Sequence, residues 1–415
     1  MDPELKIDPQ RLREHFEALA AIGGTGDGGV NRPALSEAHL AARAWFRAQA
    51  QRAGLETHVD GAGNHSALLR CGLPGAPVLL LGSHLDSVPD GGRFDGALGV
   101  TAALEVLQVV QSANLQLPFH LEALDFTDEE GTLVGLLGSS ALTGKLTAKE
   151  LETPRGGREN LLNGLKRAGL TEAGLLSAGR DPQLLAGYLE LHIEQGPRLR
   201  QAGLPIGVVT GIVGIASYRL TFTGRANHAG TTPMQARLDA AQGAAAFILA
   251  VRELVVGEFP GCTANVGLVN LLPGAYNIIP GSALVGLECR AADLPTFEQL
   301  EQALLRRALA EAGRFGLGLE AELLGRHLPA PMNPLVQQMI AESAQDLLLE
   351  ALRLPSGAGH DAQSFASRCP TGMIFVPSVD GISHSPREFT EWQACVNGAN
   401  VLLKTVVKYA EQFSS

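Results

Sequence analysis

The stretch Val78-Leu-Leu-Leu-Gly-Ser-His-Leu-Asp86 opens with a continuous apolar run, as long as a buried β-strand, and ends in an imidazole and a carboxylate. A helix rich in small residues, Leu and Val is predicted next over residues 96–111, and a second strand over residues 119–126. Strands that alternate with helices indicate a mainly parallel α/β sheet with both faces covered. Because ligands of such sheets bind at the carboxyl ends of the strands, we expect a functional site around His84.

The rest of the chain continues this alternation and then interrupts it. Helices are predicted over residues 11–21, 37–53 with Ser36 as N-cap, 334–349 and 392–413, and strands over residues 188–193 and 373–377. Beyond Gly207 the pattern predicts strands over residues 217–224, 263–272 and 283–290, an Ala-rich helix over residues 239–255, and a helix that Thr296 opens, with Gln299 completing a capping box. The sequence thus predicts a discontinuous catalytic domain over residues 1–207 and 326–415 that carries an inserted α+β domain over residues 208–325.

Composition excludes several classes of protein. The 415 residues carry a net charge of -11, and the longest basic runs are pairs such as Arg306-Arg307, which argues against binding to nucleic acid or to an anionic membrane. The five cysteines are scattered and lack a Cys-x-x-Cys spacing, so neither a disulfide framework nor a zinc knuckle is indicated. No apolar leader begins the chain, and no apolar run approaches the roughly eighteen residues of a membrane span. We therefore expect a soluble, cytoplasmic protein.

Histidines and carboxylates follow several of the predicted strands. Two adjacent glutamates in an apolar core would repel each other unless a cation lay between them, a carboxylate can bridge two cations, and imidazole is a common ligand. The pattern therefore predicts a dinuclear metal hydrolase. The motifs concerned, besides His84, are Arg93-Phe-Asp95-Gly96, Asp128-Glu129-Glu130-Gly131, His192 near a strand end and His384 in a turn-rich loop.

Other motifs favour no competing function. Gly24-Thr-Gly-Asp-Gly-Gly29 matches a dinucleotide-binding fingerprint, but it follows a helix instead of a strand and is interpreted as a loop. The segment from Gly138 to Lys145 has five residues between its glycines, whereas a phosphate-binding loop has about four. Neither a Gly-x-Ser-x-Gly elbow nor a His-Glu-x-x-His helix occurs, which disfavours serine hydrolases and single-zinc proteases.

Long motifs, in the same order along nearly the whole chain, resemble those of the hydantoinase/carbamoylase amidases. This family includes N-carbamoyl-L-amino acid hydrolases, allantoate amidohydrolases and β-ureidopropionases, within the aminoacylase and carboxypeptidase-type superfamily of dinuclear metallohydrolases. The motifs are Gly82-Ser-His-Leu-Asp-Ser87, Gly91-Gly-Arg-Phe-Asp-Gly96, Glu129-Glu-Gly131, Glu190-Leu-His-Ile-Glu-Gln-Gly-Pro197, Asn227-His-Ala-Gly-Thr-Thr-Pro-Met234, Asn277-Ile-Ile-Pro280, Ser356-Gly-Ala-Gly-His-Asp-Ala-Gln363 and Gly381-Ile-Ser-His-Ser-Pro386.

The resemblance implies a metallopeptidase-like catalytic domain, an inserted dimerisation (lid) domain and two divalent metal ions per subunit. Asp95 would bridge the two ions, with His84 and His192 completing one site and Glu130 and His384 the other. Imidazole and carboxylate ligands suit zinc, manganese, cobalt and nickel alike, so the metal is left open.

Two further carboxylates receive roles beside the metal ligands. Glu129 is adjacent to a ligand but lies outside the implied ligand set, so the resemblance implies that it acts as general base and acid. Asp86, two residues beyond His84, is expected to fix the tautomer of that imidazole. The alternative for Asp86 is an aspartate that caps a turn.

Substrate recognition is implied to involve both the inserted domain and its neighbours. His228 of the His-Ala-Gly-Thr-Thr-Pro motif would reach the active site of a partner subunit and stabilise the oxyanion, which implies a homodimer. Arg290 and Asn277 would hold the substrate carboxylate, a task that suits the two parallel hydrogen bonds of a guanidinium fork. Contacts to the ureido group are expected from Gln195, Gly359 and His360.

The implied reaction is hydrolysis of the linear ureido C–N bond of a small substrate, an N-carbamoyl-L-amino acid, to the L-amino acid, ammonia and carbon dioxide. Allantoate amidohydrolase is the nearest alternative, and β-ureidopropionase, aminoacylase and dipeptidase are more distant ones. A metal-binding protein without activity is disfavoured by the intact Glu129. Two departures leave the substrate open, namely Leu133-Val134 after Thr132, where many relatives carry Arg-Phe, and Glu288, where Asp is common.

Overall fold

The computed structural model describes residues 5–413. Its strands are β1 Glu56–Val59, β2 His65–Leu69, β3 Val78–His84, β4 His120–Phe126, β5 Leu185–Ile193, β6 Ile206–Ile212, β7 Gly214–Thr223, β8 Thr263–Leu272, β9 Ser282–Ala291, β10 Gly318–His327, β11 Ala330–Pro331, β12 Ala351–Ser356 and β13 Thr371–Val376. Its α-helices are α1 Pro9–Ala20, α2 Glu37–Arg52, α3 Ala97–Ser112, α4 Leu137–Leu142, α5 Ala148–Glu152, α6 Arg158–Ala168, α7 Glu172–Leu176, α8 Arg198–Ala202, α9 Ala240–Glu258, α10 Leu294–Arg314, α11 Pro334–Asp346, α12 Ala362–Phe365 and α13 Trp392–Phe413.

The chain divides into two compact units. The first comprises the chain up to Thr210, Met332–Leu354 and the chain from Ala358 onward, and the second comprises Gly211–Pro331 with Pro355–Gly357. The sequence places the insertion over residues 208–325. The second unit continues further along the chain because β10 pairs with β7 as far as His327.

The centre of the first unit is a sheet in the order β1-β2-β4-β3-β5-β13-β6. The four central strands, β4, β3, β5 and β13, pair in parallel, as the sequence predicts. Antiparallel pairs with β2 and β6 extend this parallel centre on either side. The parallel strands are almost entirely buried, because helices such as α3 and α13 pack against them.

The second unit is a four-stranded antiparallel sheet in the order β10-β7-β9-β8, with α9 and α10 packed on it. Phe222, Phe247 and Phe297 are fully buried in its core. Residues of β9 alternate between buried and half-buried, which fits a sheet with one face on helices. The edge strand β8 is largely exposed.

Two details of the second unit bear on sequence expectations. The capping box predicted at Thr296 is wrong, because α10 begins at Leu294 and the Asp293 side chain accepts the hydrogen bond from the Thr296 N–H. Aspartate is the stronger cap and lies three residues earlier.

Helix α9 is, within residues 5–413, long and apolar enough to cross a membrane by length and composition alone. Residues such as Phe247 and Val251 of α9 are buried in the core of this unit.

Candidate metal centre

The predicted metal ligands lie at the carboxyl ends of the four central parallel strands. His84 ends β3 and His192 lies near the end of β5, while Glu130 follows β4 and His384 follows β13. Because these strands are neighbours in the sheet, their ends meet at one edge. Asp95 immediately precedes the Gly96 cap of α3, and the helix places it beside β3.

The first cluster joins His84, His192 and Asp95, all of which are buried. Asp95 Oδ1 lies 3.4 Å from His84 Nε2 and 3.1 Å from His192 Nε2. One carboxylate oxygen therefore faces both imidazole nitrogens.

The second cluster joins Asp95, Glu130 and His384. His384 Nε2 lies 3.5 Å from Asp95 Oδ2 and 3.3 Å from Glu130 Oε2. The two oxygens of Asp95 thus face different clusters, which is the arrangement that a carboxylate bridging two ions requires. His384 has a left-handed backbone, with φ at 53°, a conformation that costs a non-glycine residue free energy and is common at functional sites.

The geometry fits divalent ions. Two ligand atoms bound to the same tetrahedral ion, each at about 2.0–2.1 Å from it, lie roughly 3.3 Å apart. The four nitrogen-to-oxygen distances in the clusters, 3.1 to 3.5 Å, agree with that spacing. In addition, His84 Nε2 is buried and has no hydrogen-bond partner in the described part of the chain.

The tautomers of the two buried imidazoles also fit metal binding. His84 Nδ1 lies 3.0 Å from the backbone oxygen of Asp86, and His192 Nδ1 lies 2.9 Å from that of Ile193. A carbonyl oxygen only accepts, so both Nδ1 atoms carry the proton and each Nε2 is the nitrogen left to bind a metal ion, although His192 Nε2 also accepts a 3.3 Å hydrogen bond from the Gly96 N–H. Gly96 is required beside this site, because it has φ at 63° and a Cβ there would lie 2.4 Å from the His84 backbone oxygen.

The expected role of Asp86 changes in one respect. Its carboxylate lies 3.9 Å from His84 Nδ1, further than its own backbone oxygen. The carboxylate instead accepts hydrogen bonds, each of 3.3 Å, from the backbone N–H groups of Glu129 and Glu130. Asp86 therefore orients His84 through its main chain and the two glutamates through its side chain.

The centre concentrates negative charge in a buried region. Burial raises the pKa of Glu130 to about 7, and the charge of Asp95 adds to this shift. Burial also raises the pKa of Glu129 well above its usual range. Burial alone would lower the pKa of His84, but the carboxylates of Glu129, Asp95 and Asp86 raise it. Divalent cations would compensate this excess of carboxylates.

Glu129 lies next to the ligands without belonging to either cluster. Its Oε2 is 3.6 Å from His84 Nε2, and its side chain is almost fully buried.

The predicted ureido contacts in the first unit lie beside the clusters. Gln195 Nε2 donates a 2.6 Å hydrogen bond to Asp95 Oδ2, and Gln195 Oε1 is buried without a partner among residues 5–413. His360 packs edge-on against the His192 ring and forms a further cluster with His192 and Glu190. Gly359 immediately precedes it, and a Cβ there would contact Gln363 at 3.2 Å.

The other predicted substrate residues lie in the second unit. His228 is exposed, and its Nδ1 accepts hydrogen bonds from the N–H groups of Gly230 and Thr231. A β-bridge joins His228 to Ile278, the residue after Asn277. Arg290 donates to Glu288 Oε1 from Nε and Nη2, and to the Gly357 backbone oxygen from Nη1.

Sequence reasoning assigned no role to several residues of this region, although three of them, Asp128, Asp361 and Ser383, stand in the quoted motifs. Ser383 and Glu388 hydrogen-bond around Asp95, Asp361 is fully buried near Glu129, and Asp128 holds the backbone that follows the glutamates. The signal for Glu388 was its place four residues after His384. Of the two departures from the family pattern, Leu133 packs in a small core with Leu137 and Leu161, and Glu288 pairs with Arg290.

Comparisons with known proteins agree with this site. The sequence profile described as Peptidase family M20/M25/M40 matches residues 80–408. An N-carbamoyl-L-amino acid amidohydrolase from Geobacillus stearothermophilus is 37% identical over 408 residues, which cover 98% of this chain and 99% of that protein. The allantoate amidohydrolase of Bacillus subtilis is 31% identical over 405 residues, covering 96% and 97%. A crystal structure of a hydantoinase/carbamoylase family amidase from Burkholderia multivorans matches with a TM-score of 0.88 at 35% identity, covering 98% of each chain.

Fold, site and comparisons together define a metal-dependent hydrolase. The chain belongs to the M20/M25/M40 peptidase family and, within it, to the hydantoinase/carbamoylase amidases, which confirms the predicted resemblance. It is accordingly an amidohydrolase that acts on carbon–nitrogen bonds other than peptide bonds.

Proposed function

We propose that the chain hydrolyses the ureido C–N bond of an N-carbamoyl-L-amino acid, giving the L-amino acid, ammonia and carbon dioxide. The observation that carries the proposal is the pair of clusters that share Asp95, with Glu129 beside them. The substrate class is supported by the similarity to the N-carbamoyl-L-amino acid amidohydrolase from Geobacillus stearothermophilus, which extends over 99% of that protein. Bound ions would polarise the ureido carbonyl and lower the pKa of a water molecule towards about 7.

The chain's own residues would supply the proton transfers. Glu129 accepts a proton from the attacking water and donates it to the nitrogen that leaves as the C–N bond breaks. Gln195 would accept a hydrogen bond from a ureido N–H, which is supported by its Oε1 atom being buried without a partner among the described residues. Asp86 keeps the backbone of Glu129 and its neighbour in place.

Arg290 is proposed to bind the substrate carboxylate, together with Asn277. Its bonds to Glu288 and Gly357 use one N–H group each on Nε, Nη1 and Nη2. One N–H group on Nη1 and one on Nη2 remain to donate to a substrate carboxylate. The Glu288 carboxylate fixes the orientation of this guanidinium.

We also propose a homodimer, formed through the second unit, in which His228 acts on the partner's substrate. The edge strand β8 exposes Leu268 and Val269, and helix α9 beside it exposes Leu249 and Val256. An unpaired edge strand with exposed apolar residues is a surface that a second copy can cover. The exposed His228 would then stabilise the oxyanion.

The trans role of His228 predicts complementation. Mixed dimers of co-expressed Glu129→Gln and His228→Ala subunits should recover about half of wild-type activity, because each mixed dimer contains one complete site out of two. Each variant expressed alone should stay nearly inactive. Activity is measured on mixed dimers purified through two different affinity tags. If His228 acted within its own subunit, the mixed dimers would show no recovery.

Allantoate amidohydrolase is the second candidate, favoured by the 31% identity to the enzyme of Bacillus subtilis. The test is ammonia release by metal-loaded protein from N-carbamoyl-L-amino acids, allantoate and 3-ureidopropionate, with an N-acetyl amino acid and a dipeptide as controls assayed for free amine. We expect the highest kcat/KM with an N-carbamoyl-L-amino acid. A higher value for allantoate would transfer the assignment to the second candidate.

A further inference from the structure

We infer that Glu388 is a positioning residue that holds Asp95 in its bridging orientation and ties it to the loop that carries His384. The inference rests on the proposed metal centre. Glu388 lies on the loop after β13 and is 3% exposed. It belongs to neither candidate cluster, so its carboxylate is available to hold other parts of the chain.

Glu388 holds the main chain at Asp95. Its Oε1 accepts hydrogen bonds from the backbone N–H groups of Phe94 at 2.8 Å and Asp95 at 3.1 Å. These donors immediately precede α3, whose Gly96 cap makes no side-chain hydrogen bond. Glu388 therefore fixes the point from which the Asp95 side chain projects.

A second set of contacts fixes the Asp95 side chain. The Ser383 hydroxyl lies 2.7 Å from Glu388 Oε2 and 3.0 Å from Asp95 Oδ2. Asp95 Oδ2 is the oxygen that faces His384, and Ser383 is the neighbour of His384 in sequence. The hydroxyl has a single proton, so it donates to one of the two carboxylates at a time and lies between them, on the loop that supplies the second cluster.

This link matters because Asp95 must divide its oxygens between two clusters. Rotation about its terminal bond would move Oδ1 away from His84 and His192, and Oδ2 away from His384. Ser383, 288 residues away in the chain, and Gln195 both lie within hydrogen-bond distance of Asp95 Oδ2, so contacts between distant parts of the sequence maintain this orientation. Removing a residue that hydrogen-bonds to a metal ligand typically weakens metal binding by about 10–100-fold.

The sequence around Asp95 leaves room for Glu388. A Cβ on Gly92 would lie 2.0 Å from Glu388 Cδ. Because Glu388 is buried and holds three hydrogen bonds, it could move only by giving up some of them. Gly92 is thus required by the carboxylate, independently of the contacts that Glu388 makes to Asp95.

The test is titration of metal-free protein with Co²⁺, following the number of ions bound, the dissociation constants and the visible absorption of the bound cobalt. Glu388→Ala should weaken binding by about 10–100-fold and change the spectrum. Glu388→Gln should bind within a few-fold of wild type, because its amide oxygen still accepts from Phe94 and Asp95 and its NH2 group can donate to Ser383. Glu105→Ala, which removes a buried carboxylate that holds Arg11, is the control and should leave cobalt binding unchanged.

Ser383→Ala keeps the inference testable if Glu388→Ala does not fold. It removes the side-chain link and leaves the contacts to the Phe94 and Asp95 backbone, so it should weaken cobalt binding several-fold. Wild-type dissociation constants and spectrum in the folded Glu388→Ala, or in Ser383→Ala where Glu388→Ala fails to fold, would overturn the inference. Wild-type protein that binds no cobalt would instead refute the proposed metal centre.

Gly92→Ala provides an independent prediction with Glu388 still present. The added methyl group should displace the carboxylate and weaken cobalt binding by about 10-fold or more. Gly26→Ala is the matched control, since a Cβ there meets nothing within 4 Å. Equal binding by both variants would show that the position of Glu388 does not govern the site.

Discussion

Glu129→Gln is expected to bind two divalent ions like the wild type and to lower kcat by about 10²–10⁴-fold. The amide has the size of the carboxylate but cannot accept a proton from water or donate one to the leaving nitrogen. Glu129 lies 3.6 Å from His84 Nε2 and outside both clusters, so metal binding does not require its charge. The measurements are metal content by elemental analysis and ammonia release on the same preparation.

The adjacent glutamate provides the control for this prediction. Glu130→Gln replaces an oxygen that lies 3.3 Å from His384 Nε2, so it should reduce the metal content as well as the rate. The two isosteric changes, one residue apart, thus separate proton transfer from metal binding. Near-normal turnover in Glu129→Gln, or loss of metal from it, would refute the assigned roles.

Asp95→Ala is expected to lose both ions and all measurable hydrolysis. Asp95 is common to the two clusters, and its removal leaves two imidazoles in one cluster and one carboxylate with one imidazole in the other. The remaining pairs cannot complete the three or four protein ligands that catalytic zinc sites typically use. Metal content and ammonia release again provide the readout, with circular dichroism to confirm folding.

His384→Ala is the comparison variant, because it belongs to the second cluster alone. It should keep one ion bound by His84, His192 and Asp95, whereas Asp95→Ala should keep none. If Asp95→Ala retained one tightly bound ion, Asp95 would not be a bridging residue.

The sequence predicted the centre of the fold well because its strands are buried on both faces. The apolar run at Val78 and the helix from residue 96 have unambiguous patterns, and the observed β3 and α3 agree with them within a few residues. Strand ends then located His84 and Glu130. Short amphipathic elements such as β1 and α5 carried no comparable signal, because elements of four or five residues are too short for a reliable period.

The hydrogen-bond partners around the ligands could not be predicted in the same way. Asp86 orients His84 through a backbone oxygen, which no side-chain pattern records. Glu388 reaches the Asp95 backbone across 293 residues of sequence, and only the fold brings them together. Residue type and spacing identify the groups that can bind a metal. The tertiary structure decides which other residues hydrogen-bond to those ligands.

The most direct test of the dinuclear amidohydrolase account is ammonia release from an N-carbamoyl-L-amino acid while metal-free protein is titrated with Co²⁺. We predict no release from the metal-free chain and full release when the two clusters that share Asp95 are filled, at two ions per chain. Full release from metal-free protein, or no release with both ions bound, would contradict the account.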